Sequence, residues 1–282
     1  MTDRLAGRVA IVTGAGMGIG RGIARRYARE GCRVVIAEVR ADHGERTAAA
    51  IRDELGGDAR FAAVDVGRRD DVERMVADTV ATEGRVDILV NNAQGYTPLV
   101  PLEEKTDEML ARSLDTGLWA TFWSMQAVFP HMRDQHFGRI INFCSLNGVT
   151  GAWFSVDYNA TKEGIRGLTR SAAREWGQHN ITVNAIAPGA ASEGYRAWAD
   201  RNPDQARAAE QTIPLRRMGD PEEDLGGAAL FLASEDGAYI TGHTIFADGG
   251  GHMGTAWQPP RSTHPDGLGH FVADAGAGSA AT

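Results

Sequence analysis

Short apolar runs rich in β-branched residues recur along the chain, and each is followed by a stretch in which apolar and charged positions repeat every three to four residues. The runs at 9–13, 34–38, 60–66, 88–91, 140–144 and 182–187 have the length of strands and too little alternation for a sheet solvated on one side. The intervening segments 20–30, 42–55, 70–83, 107–132 and 158–177 carry the helical period. Asp220, followed by Pro221 and two acidic residues, marks a further helix start running to about residue 233, and a last strand is expected near 243–246. This alternation predicts an α/β fold, a doubly wound parallel sheet with helices on both faces, with ligands beyond the carboxyl ends of its strands. One domain is expected over 1–251. Within it, 189–212 breaks the rhythm and reads either as a mobile lid or as a surface helical insertion. The Gly-, Pro- and Ala-rich segment 252–282 reads as a flexible tail whose Trp257 and Phe271 are available to pack on a neighbouring subunit.

Composition then removes several functions. With 43% apolar and 23% charged residues in 282, the chain has the make-up of an ordinary globular protein. A net charge of -8 suits it poorly for neutralising phosphates, so nucleic-acid binding is not expected. No run is long enough to span a bilayer, and the apolar stretch after Arg8 is too short for the core of a signal peptide. Cys32 and Cys144 lie far apart without metal or redox spacing, which points to a reducing cytoplasm. The histidines lack ligand spacing, so no metal is expected. The basic residues are almost all arginine, the two exceptions being Lys105 and Lys162. Lys105 sits in an acidic stretch expected to be exposed, and Arg21, Arg25, Arg26 and Arg29 are expected to form a solvated helix face.

Candidate chemistry begins at 13–20, Thr-Gly-Ala-Gly-Met-Gly-Ile-Gly, between the first strand and the first helix. Gly14, Gly18 and Gly20, with Met17 and Ile19 among them, give the spacing G-x-x-x-G-x-G, a turn that brings backbone N–H groups and a helix N-terminus to a pyrophosphate. Glu38, at the end of the second strand, is placed to accept hydrogen bonds from the adenosine ribose hydroxyls and to repel a 2'-phosphate, which favours NAD over NADP. Met17 offers no compensating charge; Arg40 is the nearby cation that could. Tyr158 and Lys162 stand four apart on one helix face, and Ser145 follows a strand that should end on the ligand side.

Together these residues resemble the short-chain dehydrogenase/reductase family over almost the whole chain, from Leu5 to about Gly251. The turn at 13–20, Asp65-Val66, Asn91-Asn92-Ala93, Ser145, Tyr158 with Lys162, Pro188-Gly189, Ile240-Thr241-Gly242 and Asp248-Gly249-Gly250 all match in order. The resemblance implies a single Rossmann-type sheet of about seven strands, a homotetramer, and hydride transfer between NAD(H) and a secondary alcohol or ketone. It makes Tyr158 the acid/base, with a pKa brought down toward neutrality by Lys162 and the oxidised nicotinamide, and Ser145 the partner of the substrate oxygen. It places Asp65 and Val66 at the adenine, Asn92 and Ala93 on the ribose side, and Pro188, Gly189 and Ala191 at the nicotinamide. Three positions depart from the family pattern. Gln94 replaces a glycine and puts a side chain near the cofactor, with Gly95 taking over the turn; Asp115 replaces an asparagine and is assigned its water relay to Lys162 through the backbone carbonyl; Glu193, beside Ser192, replaces a threonine. Tyr96, Leu99, Val100, Trp153, Phe154, Tyr195 and Trp198 are the expected pocket rim, which implies a bulky, largely apolar substrate. The competing readings are epimerisation or dehydration with tightly held NAD on the same fold, and a nucleotide-binding regulator without turnover.

Overall fold

A computed structural model describes residues 3–254 apart from Ser192 and the side chains at 193 and 194. The expectations for Ser192, the Glu193 side chain, Trp257, Phe271 and the tail from 255 onward lie outside the described residues. The sheet and its helices belong to the compact unit Met1–His252.

Seven strands form one parallel sheet: β1 (Val9–Thr13), β2 (Arg33–Glu38), β3 (Ala59–Ala63), β4 (Ile88–Asn91), β5 (Gly138–Phe143), β6 (Ile181–Pro188) and β7 (Thr244–Ala247). Their spatial order is β3-β2-β1-β4-β5-β6-β7. The order therefore reverses between β1 and β4, and the crevice beyond the ends of that pair is where such a sheet receives its ligand. The helices are α1 (Gly18–Arg29), α2 (Ala41–Leu55), α3 (Arg69–Glu83), α4 (Asp107–Leu114), α5 (Ala120–Asp134), α6 (Leu146–Thr150), α7 (Val156–Trp176), α8 (Glu193–Arg201), α9 (Pro203–Glu210) and α10 (Gly226–Ala233).

Two-residue periodicity sorts the core. Ala10, Val12, Val34, Ile36, Ile88, Val90, Ile141 and Phe143 pack with Ile23, Ala24 and Tyr27 of α1, Ile51 of α2 and Leu230 of α10 on one face. Their neighbours Ile11, Val35, Leu89 and Ile140 pack with Val72 and Val76 of α3, Val128 and Met132 of α5 and Ala172 of α7 on the other. Because both faces are covered, successive residues of each strand are apolar, which is why the strands stand out in the sequence as continuous runs.

Two expectations change. The segment 107–132 is not one helix, because a single turn of π-helix at Asp115–Trp119 separates α4 from α5. At that turn a Cβ on Gly117 would lie 2.4 Å from Gln94 Oε1 and from a Thr161 methyl, so the wide turn and the missing side chain let α4–α5 sit against the β4 loop and α7. The segment 189–212, read as a lid or a helical insertion, contains α8 and α9. The α1 arginines are only in part a solvated face: Arg21 and Arg29 are exposed, Arg25 and Arg26 half-buried. Arg25 and Arg29 both reach Glu222, and Arg26 reaches Glu223 at 2.9 Å, tying α1 to the π-turn Pro221–Leu225. Helix periodicity could place these arginines on a polar face but not reveal the acidic turn, about 200 positions later, that folds against it.

Candidate active site

The Gly-rich turn is locked from below by Thr13 and Asn92. The Thr13 hydroxyl donates to the Val90 carbonyl at 3.2 Å and accepts the backbone N–H groups of Asn92 and Ala93 at 3.0 and 3.1 Å. The Asn92 amide donates to the Thr13 and Gly14 carbonyls, so this side chain braces the turn. Contact is closest at Gly20, where a Cβ would stand 2.4 Å from the Gly14 carbonyl oxygen and 2.6 Å from the Asn92 amide nitrogen. Gly14 itself has φ +64°, a left-handed conformation that favours glycine. Helix α1 then opens with Met17 at its cap position, no side-chain cap and no acidic residue in its first turn. Its leading N–H groups are thus left for an external acceptor, which fits a dinucleotide pyrophosphate.

Glu38 is buried at the end of β2. Its Oε2 accepts from Gly16 N at 3.1 Å, and its Oε1 from Val39 and Arg40 N at 3.0 and 3.1 Å. The carboxylate is therefore fixed against the turn, and a Cβ on Gly16 would come within 2.8 Å of it. Gly16 stands outside the G-x-x-x-G-x-G spacing, yet the Glu38 carboxylate, at the end of the strand paired to β1, closes on it. Arg40 extends over the turn, with its guanidinium 2.6 Å from Met17 Sδ. Asp65 and Val66 follow the end of β3, where Asp65 Oδ1 accepts from Gly67 N at 3.0 Å.

At the ends of β4, β5 and β6 the remaining candidates gather. Ser145 caps α6, its Oγ accepting from Asn147 N at 3.2 Å. Tyr158 and Lys162 lie on α7, with Lys162 Nζ 5.4 Å from the Tyr158 ring centre and donating to the Phe143 carbonyl at 2.9 Å. Pro188 ends β6, and Gly189 bonds to the Ala247 carbonyl while Ala191 N donates to Gly219 O, both at 2.9 Å. Asp115 is the first residue of the π-turn, and its carbonyl accepts from Ala120 N. The Gln94 departure resolves differently from expectation, both in its side chain and at Gly95. Gln94 does not face the cofactor crevice: its amide donates to the Ser113 carbonyl at 3.2 Å and its Oε1 lies against Gly117. Gly95 is not in a left-handed turn; it is small because Thr116 is close, with Gly95 N donating to Thr116 Oγ1 at 2.9 Å.

Burial sets the electrostatics. Desolvation, with the neighbouring Tyr96, pushes the Tyr158 phenol up to about 12, against the lowering effect of a hydrogen bond from Ser145. The expected fall toward neutrality is therefore not produced by the protein's own groups. Desolvation also brings the Lys162 ammonium down to about 8. The rings of Tyr96 and Tyr158 stack at 6.4 Å and 14°. Trp153 and Phe154 pack edge to face at 6.0 Å, and the Tyr195 and Trp198 rings lie 5.6 Å apart, tilted at 46°. Tyr96 and Trp153 are 80% and 84% exposed, which separates them from the hydrophobic core.

Residues 14–252 match a family described as enoyl-(acyl carrier protein) reductase. The chain is 40% identical over 256 residues to an L-fucose dehydrogenase from Oryctolagus cuniculus, covering 89% of this chain and 87% of the relative. It is 37% identical over 254 residues to a 12alpha-hydroxysteroid dehydrogenase from a Clostridium species, covering 86% and 96%. The crystal structure of a levodione reductase, 30% identical, superposes with a TM-score of 0.82 over 88% of this chain and 99% of that one. The chain belongs to the short-chain dehydrogenase/reductase family. It is an oxidoreductase acting on CH–OH groups with a nicotinamide dinucleotide cofactor. These relatives are named for hydride-transfer activities and give no support to the epimerase, dehydratase or regulator readings.

In this dehydrogenase/reductase the second lysine is also buried, contrary to expectation. The Lys105 side chain is 5% exposed and pairs with Asp157 at 2.8 Å, a partner that its acidic sequence surroundings did not reveal. No helix among the described residues is long and apolar enough to cross a membrane.

Burial of Lys162 has a measurable consequence. An unfolded lysine keeps its proton to about 10.5, whereas in the fold it is released at about 8. Between those values the unfolded chain binds more protons, so this group adds stability as pH rises. The cofactor-free protein is expected to gain about 3 kcal/mol relative to Lys162→Met from about pH 7.5 to pH 10, read by urea unfolding. Above pH 10 the raised Tyr158 pKa acts in the opposite direction, since the fold then holds a proton that the unfolded chain has lost. A difference that stays flat with pH would show that Lys162 is not held as a buried amine.

Proposed function

We propose that this enzyme oxidises a bulky, largely apolar secondary alcohol with NAD, and reduces the corresponding ketone, with Tyr158 as the acid/base. The observation that carries the reading is the convergence of Ser145, Tyr158 and Lys162 beside the exposed ring of Tyr96, which stacks on Tyr158. Gly14, Met17, Gly18, Ile19 and Gly20 would hold the pyrophosphate, Glu38 the adenosine ribose, Asp65 and Val66 the adenine, Asn92 and Ala93 the ribose side, and Pro188, Gly189 and Ala191 the nicotinamide. When bound, the oxidised nicotinamide accepts a hydride and brings positive charge. Tyr158 takes the proton of the alcohol hydroxyl, and Ser145 hydrogen-bonds the same oxygen and stabilises its developing charge. Lys162, anchored on the Phe143 carbonyl, favours the phenolate, and the Asp115 carbonyl serves a water relay to it.

The aromatic wall that Tyr96 forms beside Tyr158 fits a steroid-sized alcohol, the class named in the 12alpha-hydroxysteroid dehydrogenase relative, better than a sugar, whose hydroxyls need convergent polar partners. The fixed Glu38 carboxylate favours NAD, because a 2'-phosphate would meet like charge. The reading also places the enzyme in the cytoplasm as a homotetramer, consistent with two buried free thiols, Cys32 and Cys144, and with Trp119 44% exposed on the π-turn. A panel of bulky secondary alcohols is expected to give reduced-nicotinamide absorbance, with kcat/KM for NAD about 100-fold above that for NADP. Equal use of the two cofactors would show that Arg40, lying over Met17, outweighs Glu38.

A further inference from the structure

The segment between β4 and α4 carries Tyr96, yet its only regular structure is one short 3-10 turn at Leu102–Glu104. What fixes it is a cluster absent from the catalytic machinery. Lys105 Nζ donates to the Pro98 carbonyl at 2.7 Å and to Thr97 Oγ1 at 3.3 Å, folding the loop on itself. The same ammonium pairs with Asp157 Oδ1 at 2.8 Å, and the Thr97 hydroxyl donates to Asp157 Oδ2. Asp157 is 1% exposed in the first turn of α7, where the helix dipole favours an anion, and Tyr158 follows it directly. Burial alone would raise the Asp157 carboxyl; Lys105, Thr97 and the Tyr158 N–H outweigh that and hold it below the ordinary carboxylate range.

Adjacent residues of the loop thus meet adjacent residues of the helix: Thr97 binds Asp157, and Tyr96 stacks on Tyr158. We propose that Lys105 and Asp157 form a buried latch that positions the 94–106 loop, setting Tyr96 against Tyr158 as the wall the substrate binds. Lys105 is a positioning residue, since it reaches the reacting centre only through Asp157 and the loop. A single ammonium reaching two loop acceptors and the helix carboxylate joins them, alongside the Thr97–Asp157 hydrogen bond. Removing it frees the loop and leaves a buried carboxylate without its cation, the costly half of a broken pair.

The kinetic part of the test rests on the proposed function; hydrogen exchange does not. In the full-length protein, Lys105→Met is expected to speed amide exchange across 95–105 about tenfold while α3 is unchanged. With an alcohol that the parent enzyme turns over, substrate KM should rise about tenfold while NAD KM stays within about twofold. Lys105→Arg, which keeps a cation able to reach Asp157, should restore most of the substrate affinity. Asp157→Asn, which keeps the shape and the Thr97 contact, should reproduce the loss if Lys105→Met folds poorly. Parent-like exchange and parent-like substrate KM, with only a lower Tm, would overturn the latch. Absence of alcohol-dependent turnover in the parent would instead overturn the proposed function, and exchange at 95–105 would still decide the latch.

Discussion

Tyr158→Phe should lower kcat for alcohol oxidation by about 10³-fold while leaving NAD affinity nearly unchanged. The substitution keeps the ring, so its stacking on Tyr96 at 6.4 Å and its packing beside Lys162 survive, and only the hydroxyl that moves the proton is lost. The protein's own groups push that hydroxyl up to about 12, so in the parent enzyme the alcohol-oxidising rate should climb with pH over the range in which bound NAD draws it back down. The variant should lose this ascending limb together with its rate. Cofactor titration by fluorescence and turnover by nicotinamide absorbance separate the two effects. A variant turning over within about tenfold of the parent would remove Tyr158 from the proton-transfer step.

Lys162→Arg should also cost about 100-fold in kcat, although the charge is retained. Lys162 is 3% exposed, and its compact ammonium is accommodated beside the Phe143 carbonyl at 2.9 Å and beneath the Tyr158 ring. A guanidinium is longer and planar and brings five donors to the same space; overpacking and unmade hydrogen bonds each cost about 1–3 kcal/mol. The expected signature is a lowered kcat with a lowered Tm. Near-parental turnover would mean that positive charge alone, and not its placement, serves the site.

Much of this site is legible in the sequence because its parts are local. The 13–20 turn, Glu38 at a strand end and the four-residue spacing of Tyr158 and Lys162 each depend on a few consecutive residues. The π-turn at Asp115–Trp119 was not legible, since slipping a helix by one residue scarcely alters an apolar period read over two or three turns. Its cause lies elsewhere in the chain, in Gln94 and Thr161 closing on Gly117. Gln94 itself replaces a glycine at a motif that abuts the crevice, and the Ser113 and Gly95 carbonyls that its amide reaches explain why it turns away.

The sequence alone determined the class of fold and the chemistry carried at the strand ends, because strands buried on both faces appear as continuous apolar runs and catalytic spacing follows helix geometry. Tertiary structure decided the rest. It paired Lys105 with Asp157, joined α1 arginines to Glu222 and Glu223, braced the turn with Asn92, and raised the Tyr158 phenol in the cofactor-free fold. Ion pairs and desolvation depend on which distant segments are brought together and how much water they exclude, and no window of neighbouring residues encodes either.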